Sequence, residues 1–160
     1  MIVTAWRMVR EARAAEAFTG EGARQFGGRW NSPGVAVVYA SEHQSLAALE
    51  TLVHLQPRGS LRFVVIAVEF AEELIEQLPA TLLPAHWRGE PPGAATMEIG
   101  DAWVRTARTP VFAVPSVIVP QERNYLLNPL HADFRRITVR EPLEFTFDPR
   151  LLDPPKVSRR

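Results

Sequence analysis

The chain has no cysteine, which removes disulfides and thiolate chemistry and makes a structural zinc site unlikely in kind. It also has no net charge. Its 18 Lys and Arg balance 18 Asp and Glu, so no global field holds nucleic acid or an anionic membrane. Direct DNA binding by the isolated chain is therefore not expected. No apolar run approaches the roughly 18 residues of a membrane span. The N-terminal MIVTAWRMVR has arginines but no continuous apolar segment behind them, unlike a secretory signal. His43, His54, His86 and His131 are too scattered for a local metal motif, and no metal is expected. Neither a nucleotide-binding G-x-x-x-x-G-K-[ST] loop nor a G-x-S-x-G elbow occurs. A chain of this kind is expected in the cytoplasm.

What is present suits one domain. The 160 residues are 46% apolar and 22% charged, enough for a single adequate core. Patterning predicts an α+β fold: one compact domain over 1–150, a mixed sheet with a few helices, and a tail at 151–160. That tail, ending DPPKVSRR, is read as flexible or as a segment that docks on a partner. Ile2 to Val9 alternates loosely and predicts a first strand, and Glu11 to Ala17 a short helical turn. Val35 to Ala40 predicts a buried strand. Ser41, with Gln44 three residues on, predicts a capping box that starts a helix. Pro57-Arg58-Gly59 breaks the chain before Leu61 to Phe70, whose FVVIAV is too apolar for a half-exposed strand. Glu72 to Leu78 reads as a short helix, and the prolines between Pro79 and Gly93 as a connection. Ala94 to Ala107 is amphipathic, with Ile99, Trp103 and Val104 inward. Val111 to Val114, Val117 to Val119, Ile137 to Val139 and Leu143 to Phe147 read as short strands.

Chemistry concentrates in Gly20 to Glu50, GEGARQFGGRWNSPGVAVVYASEHQSLAALE. Its glycines let the backbone take positive φ and approach a ligand closely. Arg29 and Trp30 lie in that loop. On the following helix Leu46, Leu49, Leu52 and Val53 form a core-facing stripe, with Glu50 at its edge. An acid there is either a paired structural charge or a catalytic group, and a pairing of Arg29 with Glu50 would make both structural. Later, Ser116 breaks an apolar strand, where a buried hydroxyl needs a partner. Asn124 carries an amide that donates and accepts. Asn128-Pro129 predicts an Asx turn. Trp6, Trp87 and Trp103 read as packing.

Together, GARQFGGRWNSPG, VVYAS, SLAALETLVH and PSVIVPQERNYLLNPLH resemble the RES domain, in order, from about Trp6 to His131. The resemblance implies a fold similar to ADP-ribosyltransferases and a toxin of a bacterial type II toxin–antitoxin pair. Its partner would be an Xre-type helix-turn-helix antitoxin, and homodimer formation is left open. The implied substrate is NAD, whose nicotinamide–ribose bond is cleaved with water or phosphate as acceptor. The alternative within the family is ADP-ribosylation of a specific protein. The site implied falls on Arg29, Tyr39, Glu50 and Ser116, with Asn124 in addition. Glu50 would stabilise oxocarbenium charge. Arg29 would hold phosphate or ribose oxygens, Tyr39 would stack on nicotinamide, and Ser116 and Asn124 would orient ribose or carboxamide. A reading of another class stays open: a binding module with a polar docking cleft and activity supplied by a partner.

Overall fold

The computed structural model describes residues 1–55 and 62–152. The predicted break at Pro57-Arg58-Gly59 and the tail beyond Leu152 lie outside the described residues. The fold is α+β, built on an eight-stranded sheet in the order β4-β5-β6-β2-β1-β3-β7, with β8 also on β3. The strands are β1 (Ile2–Arg10), β2 (Val38–Ser41), β3 (Phe63–Ala71), β4 (Ile75–Gln77), β5 (Val111–Pro115), β6 (Arg123–Leu127), β7 (Thr138–Val139) and β8 (Leu143–Phe145). Among them only β4 and β5 pair in parallel. Helices α1 (Glu21–Phe26), α2 (Gln44–Leu52) and α3 (Ala94–Thr106) complete it, with short 3-10 turns between. No helix among the described residues is long and apolar enough to cross a membrane.

β3 is buried on both faces, as its unbroken apolar run requires. Phe63 and Val65 pack with Met8, Ala47 and Phe147 on one side. Val68 and Phe70 join Ala5, Val38, Val111 and Leu127 on the other. Each such large side chain stabilises the fold by about 1.5–3 kcal/mol relative to exposure. β1 runs beside β3 over its whole length, from Ile2↔Ala71 to Arg10↔Phe63.

On its other side β1 meets β2 at a single pair, Trp6↔Ser41, and the two strands then part. Arg7 fills the opening. Its Nε donates to the Ala17 carbonyl at 2.6 Å and its Nη1 to the Tyr39 carbonyl at 2.8 Å. The side chain thus replaces the ladder bond that a β1 amide would have given Tyr39. Desolvation pulls the Arg7 pKa down to about 10. A cation whose folded pKa lies below its unfolded one costs stability at neutral pH, and the two carbonyl bonds offset that cost. Lysine keeps the charge but offers its donors from a single nitrogen, which does not reproduce the separate Nε and Nη1 positions that reach the two carbonyls. Arg7→Lys should therefore lower unfolding stability by about 1.5–3 kcal/mol, the value of one charge-assisted bond. Urea melts of the two proteins check this.

Several local expectations are corrected. Ser41 does not cap α2: the helix begins at Gln44 after His43, with no side-chain cap, because the Ser41 hydroxyl is bonded to Asn124 across the sheet. β2 starts at Val38, since the preceding residues leave a turn ordered by Asn31. Glu72 to Leu78 is a 3-10 turn followed by β4, whose edge pairing with β5 overrides helix propensity. Val117 to Val119 is not a strand, because the amides of Ile118 and Val119 bond the Ser116 hydroxyl instead of a neighbouring strand. β6 takes its place, at residues the sequence reading left as a polar segment. The Asx turn is present, with the Leu130 amide on Asn128 Oδ1 at 3.1 Å.

Candidate active site

Helix α2 is made of good helix formers, but its buried face differs from the predicted stripe. Leu46 and Ala47 are buried, whereas Leu49 is 40% and Val53 60% exposed. At about 100° per residue, Glu50 lies some 40° past Leu46 and so between Leu46 and Ala47. It sits within the buried face rather than at its edge, and it points at the β5–β6 side of the sheet. Ser116 meets it there. The Ser116 hydroxyl, fully buried, donates to Glu50 Oε1 at 2.8 Å. The Ser116 Oγ itself accepts the Ile118 and Val119 amides, both at 3.1 Å. A serine has one proton to give. Here it is committed to the carboxylate.

Asn124 of β6 supplies a second donor, its Nδ2 lying 2.6 Å from the same Oε1. Two donors thus converge on one carboxylate oxygen, and among the described residues no donor bonds the other, Oε2. Ser41 in turn donates to Asn124 Oδ1 at 2.8 Å, opposite it in the β2–β6 ladder. The carboxylate is fixed through one oxygen and presents the second.

The glycine loop is organised separately. Gly27 and Gly34 take positive φ of 72° and 99°. Gly28 and Asn31 close a tight turn around Arg29 and Trp30, the Gly28 amide donating to Asn31 O at 2.9 Å. Asn31, fully buried, donates to the carbonyls of Ala23, Ser32 and Val35. Its Oδ1 accepts the Tyr39 hydroxyl at 2.6 Å, and that hydroxyl accepts the Trp30 amide at 3.2 Å. Burial raises the Tyr39 phenol well above its ordinary pKa, so it stays a neutral donor. Helix α3 clamps the loop from outside. Asp101 Oδ1 accepts the Ser32 amide at 2.9 Å, and Gly100 lies directly against the Trp30 carbonyl. Trp103 stacks on Phe112 at 5.4 Å, so it is packing, as expected.

Arg29 does not pair with Glu50. Its Nη1 donates to the carbonyls of Trp87 and Gly89, each at 2.8 Å, and its Nη2 lies 2.9 Å from Glu90 Oε2. Of the five N–H donors of a guanidinium, these contacts engage three and leave two. The Glu90 carboxylate is 73% exposed, so this pair faces solvent at its acidic end. A cleft of about 420 Å³ opens beside Trp87, walled by Leu78, Leu83, Val114 and Pro115, the residue before Ser116.

Of the five residues singled out in sequence, Glu50, Ser116 and Asn124 form one hydrogen-bonded cluster. Arg29 belongs to the loop beside Trp30, and Tyr39 of β2 reaches that loop through its hydroxyl. Sequence reasoning passed over Asn31, Ser41, Glu90 and Arg7. Asn31 alone left a signal, as the residue following Arg29-Trp30 at the turn.

The RES domain profile matches residues 4–148. A curated relative named "Prs ADP-ribosylating toxin", from Sphingobium sp. (strain YBL2), is 39% identical over 158 residues, covering 95% of this chain and 98% of that protein. A "Toxin Res" of Yersinia enterocolitica is 41% identical over 148 residues, covering 91% and 97%. A chain of the Mycobacterium tuberculosis (M.tuberculosis) MbcT-MbcA toxin-antitoxin crystal structure superposes with a TM-score of 0.72 at 18% identity, covering 95% of this chain and 87% of that one.

Proposed function

Since the chain belongs to the RES domain family, we propose that it is a toxin that acts on NAD, held in check by a protein antitoxin of the Xre helix-turn-helix kind. It cleaves the nicotinamide–ribose bond and passes the ADP-ribosyl group to water or phosphate, so that cytoplasmic NAD falls and growth stops. One observation carries this reading: Glu50 is held on a single carboxylate oxygen by Ser116 and Asn124. A charge fixed in this way needs no reorganisation when positive character develops on the ribose. Loss of nicotinamide creates that character, as in glycoside hydrolysis. A docking surface has no need of a carboxylate restrained so closely.

In this reading Glu50 Oε2 faces the ribose, as hydrogen-bond acceptor and as counter-charge to the oxocarbenium ion. Ser116 and Asn124 act on Glu50, and the second Nδ2 hydrogen of Asn124 remains for the substrate. Arg29 binds a phosphate of the dinucleotide, for which a planar fork suits. Tyr39 holds the Arg29 loop through Asn31 and lends its ring to the nicotinamide side. A second reading, ADP-ribosylation of a specific protein, is favoured by the name of the Sphingobium relative. Incubating the pure protein with NAD, with and without phosphate, separates these. Free nicotinamide with ADP-ribose, or with its phosphorylated form, supports the first reading. Nicotinamide release only when a target protein becomes labelled supports the second, and no release at all removes both.

Glu90 then competes with the substrate phosphate for Arg29. Exposed ion pairs are worth about 0.3–1 kcal/mol, or roughly a twofold to fivefold change in binding. Glu90→Gln should lower the KM for NAD by that factor and leave kcat unchanged. A raised KM in steady-state kinetics would mean instead that Glu90 orients Arg29 for its ligand.

A further inference from the structure

We infer that Ser41 is a positioning residue for the NAD reaction, acting on Glu50 through Asn124. The inference rests on the function proposed above. Ser41 is buried, 4% exposed, and donates to Asn124 Oδ1 at 2.8 Å. The same amide donates from Nδ2 to Glu50 Oε1 at 2.6 Å. Hydroxyl, amide and carboxylate therefore form a directed chain, Ser41 O–H to Asn124 C=O, then Asn124 N–H to Glu50. Every donor in it faces an acceptor.

The direction of this chain follows from its end. A carboxylate only accepts, so Asn124 must turn Nδ2 toward Glu50 and Oδ1 away from it. Oδ1 then needs a donor, and Ser41 lies opposite Asn124 in the ladder to give one. Hydrogen bonds in series polarise one another, so the Ser41 bond strengthens the one that Glu50 receives. It also limits rotation of the amide about its last torsion, which is otherwise broad. With both restraints in place, Asn124 and Ser116 stay on Oε1 and Oε2 is kept clear for the ribose. Nothing in the local sequence of Ser41 suggests this, since the residue looks like a helix cap.

Ser41→Ala removes the donor and leaves the strand pairing intact. The expected loss is about tenfold in kcat, that of one ordinary hydrogen bond, with KM for NAD changed less than roughly twofold. Ser41→Thr keeps the hydroxyl and should restore most of the rate. Because Ser41 acts through Asn124, Ser41→Ala should add less than about twofold on an Asn124→Ala background. A purely structural serine would lower the melting temperature and the active fraction, and would not be silenced by the second substitution. Wild-type kcat in well-folded Ser41→Ala, or a full tenfold loss on the Asn124→Ala background, overturns the inference. Without NAD, the Asn124 side-chain amide resonances report the restraint directly. They should shift and exchange faster in Ser41→Ala, and their invariance would overturn the inference. This measurement stands if the wild-type protein proves not to cleave NAD, an outcome that defeats the proposed function instead.

Discussion

Glu50→Gln is expected to release nicotinamide roughly a hundred- to a thousandfold more slowly while folding normally, a loss on the order of 3–4 kcal/mol of transition-state stabilisation. The geometry makes this substitution unusually clean. Ser116 and Asn124 both donate to Oε1, so the glutamine carbonyl can accept both bonds where the carboxylate did. Its amide nitrogen then falls at the position of Oε2, for which no protein donor competes among the described residues. Shape and internal bonds are kept, and the charge that the proposed reaction sets against the ribose is deleted. Turnover should therefore fall far more than NAD affinity, because the lost interaction belongs to the transition state. Thermal melting, calorimetric NAD binding and nicotinamide release on one preparation test all three parts. If a well-folded Glu50→Gln protein released nicotinamide at near the wild-type rate, Glu50 would not be the catalytic carboxylate. A large drop in melting temperature with activity intact in the folded fraction would make Glu50 a structural charge.

Gly100→Ala should destabilise the protein by at least about 3 kcal/mol, at the upper end of overpacking effects. A Cβ at this position would lie 1.6 Å from the Trp30 carbonyl oxygen and 2.7 Å from its carbon. The obstacle is backbone, held in place by the Gly28–Asn31 turn, and no side-chain rotation relieves it. Alanine gains about 1 kcal/mol of helix propensity inside α3, and the clash outweighs that gain. For a chain of this size the melting temperature should fall by roughly 6–12 °C. Activity should fall further than stability explains, because displacing α3 breaks the Asp101 contact to the Ser32 amide and releases the loop bearing Arg29. Gly22→Ala is the control. It lies in α1 with nothing within 4 Å of its added Cβ and should be neutral or slightly stabilising. Equal melting temperatures for the Gly100 and Gly22 variants would show that α3 does not bear on the loop.

Periodicity carried furthest where an element is long or buried on both faces. β1, β3 and α3 were legible because their apolar spacing persists through nine to thirteen residues. α2 has nine residues and its three leucines fall within one arc of about 120°, so its own pattern could not tell Leu46 from Leu49. Contact with β1 and β2 made the choice and brought Glu50 inward. β6 escaped because Arg123-Asn124-Tyr125-Leu126-Leu127 alternates only over its first residues. Its identity as a strand comes from the partners on either side, β2 and β5.

The sequence by itself determined the chemical inventory: one domain, no thiol, no net charge, and an ordered set of motifs that resembles the RES domain. It also singled out Glu50, Ser116 and Asn124, because a border acid, a hydroxyl within an apolar strand and a bifunctional amide each demand a partner. Which partner each takes was decided only by the tertiary structure. The bonds that join the cluster span 66, 74 and 83 residues of chain, and sheet register together with the packing of α2 on the sheet sets them. Arg29 illustrates the same division. Its fork was legible, yet its engagement with Glu90 and two carbonyls follows from how the proline-rich connection folds back over the loop. Side-chain chemistry is local, and so it can be read one residue at a time. The direction in which a hydrogen bond is spent depends on which atoms a distant strand brings within 3 Å, and no local pattern encodes that.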